Sequence, residues 1–143
     1  MNKIEIKESN GEVIYTYEGE NATIKDAVED AVKKGVNLSL AVIRNANLEG
    51  ADLCGANLYR ADLEGANLED VNLEIAFIKN AVLKRANLCG ANLYNADLEE
   101  TDLSDANLTR ASLEFTHLYG TNFFNANLKD ANLKDTELEK YQN

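Results

Sequence analysis

The sequence predicts an all-β solenoid, a tower of short strands and corners that runs through most of the chain. Three observations predict it. Apolar residues recur at every fifth position, proline is absent from all 143 residues, and a hairpin signal and a helix pattern precede the repeats. From Leu38 to Leu138, all 21 fifth positions hold leucine, isoleucine or phenylalanine. Because the register never slips, a repeated structural unit explains the pattern best.

A five-residue apolar period fits neither a helix nor a continuous strand. A helix turns by about 100° per residue, so residues five apart would spiral around its surface. In a strand the side chains alternate between faces, so residues five apart would point to opposite sides. The period fits a three-residue strand and a two-residue corner, in which a small residue and the apolar residue point inward. Proline would remove an N–H that such a ladder needs, which agrees with its absence.

The repeats resemble the A(D/N)LXX signature of the pentapeptide-repeat proteins, for example from Ala51 to Gly55 (ADLCG) and from Ala56 to Arg60 (ANLYR). The resemblance covers residues 36–140. It implies a right-handed quadrilateral β-helix with four pentapeptides per coil. At a ladder spacing of about 4.8 Å, about five coils would form a tower roughly 25 Å tall.

The inward-pointing apolar residues are the predicted core. Burying one such side chain is worth about 1.5–3 kcal/mol, so the column of them holds the coils together. The predicted structural core includes Leu48, Leu53, Leu58, Leu63, Leu68, Leu88, Leu93, Leu108, Phe123 and Leu128.

Residues 1–35 are predicted to form a cap of one β-hairpin and one α-helix on the solenoid of residues 36–143. Asn10 and Gly11 between apolar-rich segments are typical of a two-residue hairpin turn. A solenoid leaves an open edge at each end, and such edges invite aggregation unless they are covered. Counting outward from the turn predicts two cross-strand pairs on one face, Ile6 with Tyr15 and Ile4 with Tyr17.

A helix is predicted to follow the hairpin. Thr23 is placed to cap it, Asp26 completes a capping box, and Gly35 stands where it should end. Its apolar stripe could contact a membrane surface or a partner helix, but its low net hydrophobicity and its position beside the solenoid favour a cap. The stripe follows helical spacing and consists of Ile24, Ala27, Val28, Ala31 and Val32.

The C-terminal end of the predicted solenoid has no comparable cap. Leu138 ends the ladder, and only residues 139–143 follow it. An open edge of this kind invites association. Either the charged residues there protect the edge, or two copies of the chain meet at this end as a homodimer.

The composition excludes several classes of partner. A net charge of −11 disfavours nucleic-acid binding, because phosphate contacts need clustered lysine and arginine. No apolar stretch is long enough to span a bilayer, and residues 1–20 contain no signal-peptide core. The chain is therefore expected to be cytoplasmic, to bind an unidentified protein, and to bind neither nucleic acid nor membrane.

In a coil of four pentapeptides, residues 20 apart lie above one another. The one histidine, His117, would then lie between Asp97 and Glu137. A solvated polar stack is favoured over a weak metal or proton-linked site, because one imidazole and two carboxylates are a poor ligand set for a transition metal. A second column predicts a ladder of hydrogen-bonded amides and consists of Asn47, Asn67, Asn87, Asn107 and Asn127. A third, of alternating charge, predicts cross-strand pairs between Arg44, Glu64 and Lys84.

Two cysteines open a duplicated block. Cys54 and Cys89 each begin the string CGANLY, and the copies are 35 residues, or seven repeats, apart. Seven is not a multiple of four, so the copies fall on different faces and no disulfide is expected. Neither cysteine has a neighbouring histidine, lysine or arginine in its column, so neither thiol is predicted to be activated.

Exposed aromatic residues mark the candidate partner surface. Ile75, Tyr94 and Phe115 would share one face, with Tyr119 and Phe124 around the next corners. An exposed apolar patch can be an interface, although scattered corner residues are the alternative explanation.

No nucleophile–base pair, phosphate-binding glycine loop or metal-ligand spacing stands out, so neither an enzyme nor a cofactor or metal site is expected. The favoured function is a rigid scaffold for protein interaction. The alternative, which the family resemblance implies, is a DNA mimic that binds DNA gyrase or topoisomerase IV. Residues 36–143 hold 17 acidic and nine basic residues, a net charge of −8. A DNA segment of about 25 Å carries roughly 15 negative charges, which disfavours the alternative.

Overall fold

The computed structural model describes residues 1–141. The chain begins with two antiparallel strands, β1 (Asn2–Glu8) and β2 (Val13–Gly19). A third short strand, β3 (Ala41–Val42), belongs to the first coil of the repeats and pairs with the other side of β1. The sheet order is therefore β2-β1-β3, which joins the hairpin to the repeats through the backbone.

The hairpin has the predicted pairs but a different turn. Both predicted cross-strand pairs are present. The turn is one residue longer than the two predicted, because the Glu8 carbonyl accepts from Gly11 N–H and Glu8 N–H donates to the Glu12 carbonyl, each at 2.9 Å. Gly11 has a φ of 85°, which glycine adopts without steric cost. A register shift between Ile6 and Lys7 compensates for the extra residue, so the pairs of Ile6 with Tyr15 and Ile4 with Tyr17 are preserved.

Helix α1 (Ile24–Lys33) has both predicted ends. Thr23 and Asp26 form the capping box. At the other end, Gly35 N–H donates to Val32 C=O and the next N–H donates to Ala31 C=O, the two bonds of a Schellman motif. The face towards the core buries Ala27, Val28 and Ala31, while Ile24 and Val32 are partly buried. Within the described residues, no helix has the length and apolar character needed to cross a membrane.

The repeats stack with a spacing of 20 residues. Parallel bridges join middle residues such as Asn47 and Asn67, then Asn67 and Asn87. Leu48 N–H donates to the Asn67 carbonyl at 2.8 Å, and Asn67 N–H donates to the Ala46 carbonyl at 2.9 Å. Each coil therefore contains four pentapeptides, and its main-chain hydrogen bonds run to the coils below and above. A 3-10 helix (Glu139–Tyr141) ends the described chain.

The second corner residue of each pentapeptide has a left-handed backbone. From Leu40 to Asp135, φ at these positions lies between 52° and 71°. Glycine, asparagine and aspartate fill most of them, and these residues tolerate the left-handed region best. This backbone reversal turns the chain from one face of the coil to the next.

The core is continuous from the hairpin to the last coil. Eight of the ten predicted core leucine and phenylalanine positions are at most 1% exposed. The other two, Phe123 and Leu128, pack against the core but are only partly buried. Both belong to the last full coil of the described residues, which contain no further coil above them. Ile6, Ala27 and Val28 belong to the same core cluster at the other end.

Two predicted surface ladders differ in outcome. The amide ladder is present from Asn47 to Asn107, with Nδ2-to-Oδ1 distances of 3.1 to 3.3 Å. In the charged column, Glu64 does pair with Arg44, at 3.6 Å. Its shorter contact, 2.5 Å, is to Arg85 and not to Lys84 as predicted. Arg85 lies 21 residues after Glu64, so this ion pair is diagonal to the column.

Candidate interaction surface

Exposed and partly exposed apolar residues form one connected surface that extends from one corner of the tower across a face to the next corner. We name it the aromatic stripe, and it consists of Tyr59, Ile75, Phe77, Tyr94 and Phe115. The rings of Tyr59 and Phe77 stack with centroids 5.7 Å apart. The rings of Tyr94 and Phe115 meet edge to face at 5.5 Å. Ile75 lies between these pairs, and its N–H donates to the Tyr94 carbonyl at 2.9 Å.

The aromatic stripe is accessible to a partner. Phe77, Tyr94 and Phe115 are about two-fifths exposed, at 40%, 37% and 42%, and Ile75 is 52% exposed. Because residues 20 apart are one coil apart, the stripe rises roughly 13 Å along the tower. An exposed apolar surface of this continuity is typical of a protein interaction site.

The structure brings together three of the five predicted patch residues. Ile75, Tyr94 and Phe115 are neighbours, as the repeat geometry indicates. Tyr119 and Phe124 are 72% and 76% exposed, and neither belongs to the ring contacts of the described residues. They lie in the last full coil, and Tyr119 is three coils above Tyr59 in the same column, so neither belongs to the aromatic stripe.

Reading the sequence in columns missed Tyr59 and Phe77 as members of the surface. A column contains residues 20 apart, whereas Tyr59 and Phe77 are 18 apart. Their rings therefore meet on a diagonal between neighbouring coils. Phe77 was visible in the sequence as the one aromatic residue in an otherwise polar outward column. Phe77 becomes part of the surface because its ring stacks on that of Tyr59 in the coil below.

Two residues of the aromatic stripe have a strained backbone. Ile75 and Phe115 are second corner residues with φ values of 52° and 57°. For an L-residue with a Cβ the left-handed region costs about 1–2 kcal/mol, and a β-branched residue there is an outlier. The other members of the same column are Gly55, Asn95 and Asp135, all of which tolerate this conformation. The apolar side chains therefore occupy the stripe at a cost in stability.

Carboxylates surround the aromatic stripe. We name them the acidic rim: Glu74, Asp97, Glu99 and Glu114. Glu74 and Glu114 immediately precede stripe residues, and Asp97 is bridged to Phe77 in the coil below. Three cations lie nearby. Lys134 is one coil above Glu114, its carbonyl accepts the N–H of Phe115 at 3.2 Å, and its Nζ lies 4.0 Å from Asp135. Arg60 lies over the Tyr59 ring at 5.2 Å, and Lys79 Nζ contacts Glu99 at 2.6 Å. This hydrogen bond from Lys79 lowers the pKa of Glu99.

His117 belongs to the edge of the acidic rim. It is stacked above Asp97 as predicted, but the second carboxylate beside it is Glu99, and one ligand atom from each of the three lies within 4.8 Å of the others. The predicted neighbour Glu137 instead accepts the N–H of Leu118 at 3.3 Å. The trio could offer one nitrogen and two oxygens to a metal ion, which would have to compete with Lys79 for Glu99.

The two cysteines are free, as predicted, but their surroundings differ. Arg110 Nη2 lies 3.1 Å from Cys89 Sγ, so the prediction that neither cysteine has a cationic neighbour is wrong. Arg110 follows Cys89 by 21 residues, a diagonal that the columns do not include. The residue at the same distance from Cys54 is Ile75, and there burial, with Glu74 and Asp52 nearby, raises the pKa of the Cys54 thiol.

Comparison with known proteins shows which family the repeats match. A family model described as pentapeptide repeats matches residues 37–74, 76–105 and 106–140 in eight copies. No curated protein shows a significant match to the chain.

Solved structures of pentapeptide repeat proteins are similar to the fold of this chain. The pentapeptide repeat protein Rfr23 of the cyanobacterium Cyanothece is 36% identical with a TM-score of 0.56, and the match covers 66% of this chain and 62% of Rfr23. The chain thus spans less than two thirds of Rfr23. A pentapeptide repeat protein of the Arabidopsis thaliana thylakoid lumen is 29% identical with a TM-score of 0.54, covering 74% and 70% of the two chains.

A more distant structure is that of QnrB1, a plasmid-mediated fluoroquinolone resistance protein. It is 18% identical with a TM-score of 0.42, and the match covers 71% of this chain and 61% of QnrB1. At this distance the likeness carries no argument about function.

Proposed function

The chain belongs to the pentapeptide-repeat family, and from that membership we propose that it is a non-enzymatic module that binds a protein partner through the aromatic stripe. Members of this family fold as right-handed quadrilateral β-helices, and the 20-residue bridge spacing of this chain fits that fold. The observation that carries the proposal is that apolar side chains are kept at two strained corners, Ile75 and Phe115, where they are exposed. All second corner residues share this left-handed backbone, but glycine, asparagine and aspartate fill most of these positions, and Ile75 and Phe115 are large apolar exceptions.

The shape of the surface supports binding of a macromolecule more than catalysis. Sites for small molecules are usually concave and bury most of the ligand. The aromatic stripe instead covers two neighbouring corners and the face between them, and Ile75 and Phe115 are exposed at one of these corners. The coils beneath are fixed by main-chain hydrogen bonds to their neighbours, so the stripe is held by a rigid support. A rigid, pre-organised surface loses little conformational entropy when a partner binds.

We also propose that residues 1–35 close the N-terminal end of a solenoid of about five coils in residues 36–143. The first coil has backbone groups that no lower coil can satisfy, and the N-terminal segment supplies partners for several of them. Glu29 Oε1 accepts the N–H of Asp52 at 2.8 Å, and Lys25 Nζ donates to the Glu49 carbonyl at 2.9 Å. Pairing of β1 with β3 covers another side of this edge.

DNA mimicry receives less support from the charge arrangement. A DNA mimic would need continuous rows of negative charge. In this chain acidic side chains are interrupted by cations bonded to them, as in the contact of Glu64 with Arg85 and that of Glu99 with Lys79. These pairs reduce the effective charge density, which is already about half that of DNA.

Replacement of Ile75 by asparagine should stabilise the protein. Asparagine tolerates a φ of 52° better than a β-branched residue, and Asn95 already occupies the same column at 53°. We expect Ile75→Asn to increase the free energy of unfolding by about 1 kcal/mol, measured by urea denaturation. The reciprocal variant Asn95→Ile should lose a similar amount. A loss of stability in Ile75→Asn would show that strain at this corner is not the cost we infer.

Site-specific photo-crosslinking in cells of the source organism tests the proposed function. The photo-reactive amino acid benzoylphenylalanine replaces Phe115 in the aromatic stripe or, as a control, Phe124 outside it. Both positions are exposed aromatic residues, so general surface reactivity should be similar. We expect a discrete protein adduct at Phe115 that is absent or much weaker at Phe124. Equal labelling at both positions, or no adduct at Phe115, would refute binding through the stripe.

A further inference from the structure

We propose that the aromatic stripe binds a cationic amphipathic α-helix of the protein partner. The inference rests on the proposed interaction function and specifies the chemistry of the bound segment. It combines three observations: the extent of the apolar surface, the charge around it, and the state of the backbone beneath it.

The dimensions of the stripe match a short helical segment. The stripe rises roughly 13 Å along the tower. A helix rises 1.5 Å per residue, so roughly nine residues, or two and a half turns, would cover that length. The two ring pairs, Tyr59 with Phe77 and Tyr94 with Phe115, would then contact apolar residues on successive turns of one helix face.

The backbone beneath the stripe excludes binding by strand addition. An extended peptide that adds to a sheet needs free N–H and C=O groups at an edge. At the stripe these groups are already used between coils, since Ile75 N–H donates to Tyr94 C=O and Phe77 N–H donates to Ala56 C=O, each at 2.9 Å. A segment that satisfies its own backbone hydrogen bonds, as a helix does, is the form that fits.

The charge around the stripe selects a cationic partner. Of the four carboxylates in the acidic rim, Glu99 is already paired with Lys79. Arg60 lies over the Tyr59 ring, and Lys134 Nζ lies 4.0 Å from Asp135. Among the described residues, Glu74, Asp97 and Glu114 have no ion pair within 4.0 Å and remain for a partner. Lysine or arginine on the flanks of a bound helix would meet these carboxylates. A second copy of this chain would bring its own charge of −11 and be repelled, as would nucleic acid or an anionic membrane.

Binding of designed peptides to the intact protein tests the inference. Three peptides of about 18 residues share one leucine and phenylalanine face and carry lysine, glutamine or glutamate on the other. Each is titrated into the 15N-labelled full-length chain and followed by amide NMR shifts. We expect the lysine peptide to move the resonances of stripe residues and to bind about tenfold more tightly than the glutamine peptide. The glutamate peptide should not bind there.

Matched variants distinguish binding at the aromatic stripe from non-specific attraction of a cationic peptide to an acidic protein. Tyr94→Ser combined with Phe115→Ser should weaken the lysine peptide about tenfold or more. Tyr119→Ser combined with Phe124→Ser removes two more exposed aromatic residues outside the stripe and should change affinity by less than about twofold. Thermal melts confirm that each variant folds, and the comparison of the three peptides on the unchanged protein does not depend on any variant.

A second pair of variants tests the acidic rim. Glu114→Gln should weaken the lysine peptide but leave the glutamine peptide unchanged. Asp105→Asn removes the same charge half a coil away and should have no effect on either peptide. A lysine peptide interrupted by proline should lose binding, because it cannot form the helix.

The outcomes distinguish this inference from the proposed function. Equal binding of the glutamine or glutamate peptide at the stripe would overturn the cationic partner, and equal binding of the proline peptide would overturn the helix. If none of the peptides shifts the stripe resonances, the partner class is rejected. In each case the crosslinking comparison of Phe115 with Phe124 still decides independently whether the stripe is a binding surface.

Discussion

Leu88→Ala is expected to lower the free energy of unfolding by about 2–5 kcal/mol, whereas Leu128→Ala should cost less than half as much. Both leucines occupy the same position of the pentapeptide and the same face of the tower. Leu88 is 0% exposed between two coils, so its truncation leaves a cavity that neither neighbour can fill. Leu128 is partly buried in the last full coil, so solvent already reaches the space its side chain would leave. Urea denaturation measures both.

The same pair of variants reports on association at the C-terminal end. If two copies meet at this end in solution, Leu128 would be covered by the partner copy. Leu128→Ala would then cost nearly as much as Leu88→Ala, and the unfolding midpoint would depend on protein concentration. Equal costs without any concentration dependence would contradict the explanation by burial.

Cys89 is expected to react with iodoacetamide at neutral pH about tenfold faster than Cys54, although Cys54 is the more exposed of the two. The Arg110 guanidinium lies 3.1 Å from Cys89 Sγ, so a positive charge stands beside this sulfur, and Cys54 has no such neighbour at the same distance along the chain. At Cys54, burial and the nearby carboxylates raise the pKa of the thiol and therefore favour the unreactive form. Mass spectrometry of the two tryptic peptides over time gives both rates in one sample.

The duplicated block provides the controls for this prediction. Arg110→Gln should slow Cys89 to about the rate of Cys54, and Ile75→Arg should accelerate Cys54, because residue 75 has the same relation to Cys54 that residue 110 has to Cys89. Arg85→Gln removes a cation bonded to Glu64 and should change neither rate. Equal rates in the unchanged protein, or a Cys89 rate insensitive to Arg110→Gln, would show that the contact does not activate the thiol.

Local sequence signals predicted much of this molecule. The five-residue period, the hairpin pairs, the capping box of Thr23 and Asp26, and the end of α1 at Gly35 each depend on residues close together in the chain. The amide ladder from Asn47 to Asn107 was also predictable, because stacking of identical coils requires only the 20-residue spacing. Three members of the aromatic stripe followed from the same counting.

The contacts that the 20-residue columns do not include lie on a diagonal, and of their members the sequence analysis placed only Tyr94 and Phe115 together on one face. Arg85 with Glu64, Arg110 with Cys89, and Phe115 with Tyr94 each join residues 21 apart. Phe77 with Tyr59 and His117 with Glu99 each join residues 18 apart. All five cross between coils and between neighbouring columns.

The sequence by itself determined the solenoid, its period, its direction of burial, and the cross-strand pairs and helix ends of its first 35 residues. Only the tertiary structure decided which surface side chains meet. The physical reason lies in the geometry between coils. In the contacts 21 residues apart, a left-handed second corner residue meets the first corner residue of the coil below. In the contacts 18 apart, an outward middle residue meets the first corner residue of the coil below. The proposed binding surface, and the difference between two cysteines with the same local sequence, both arise from these contacts between coils.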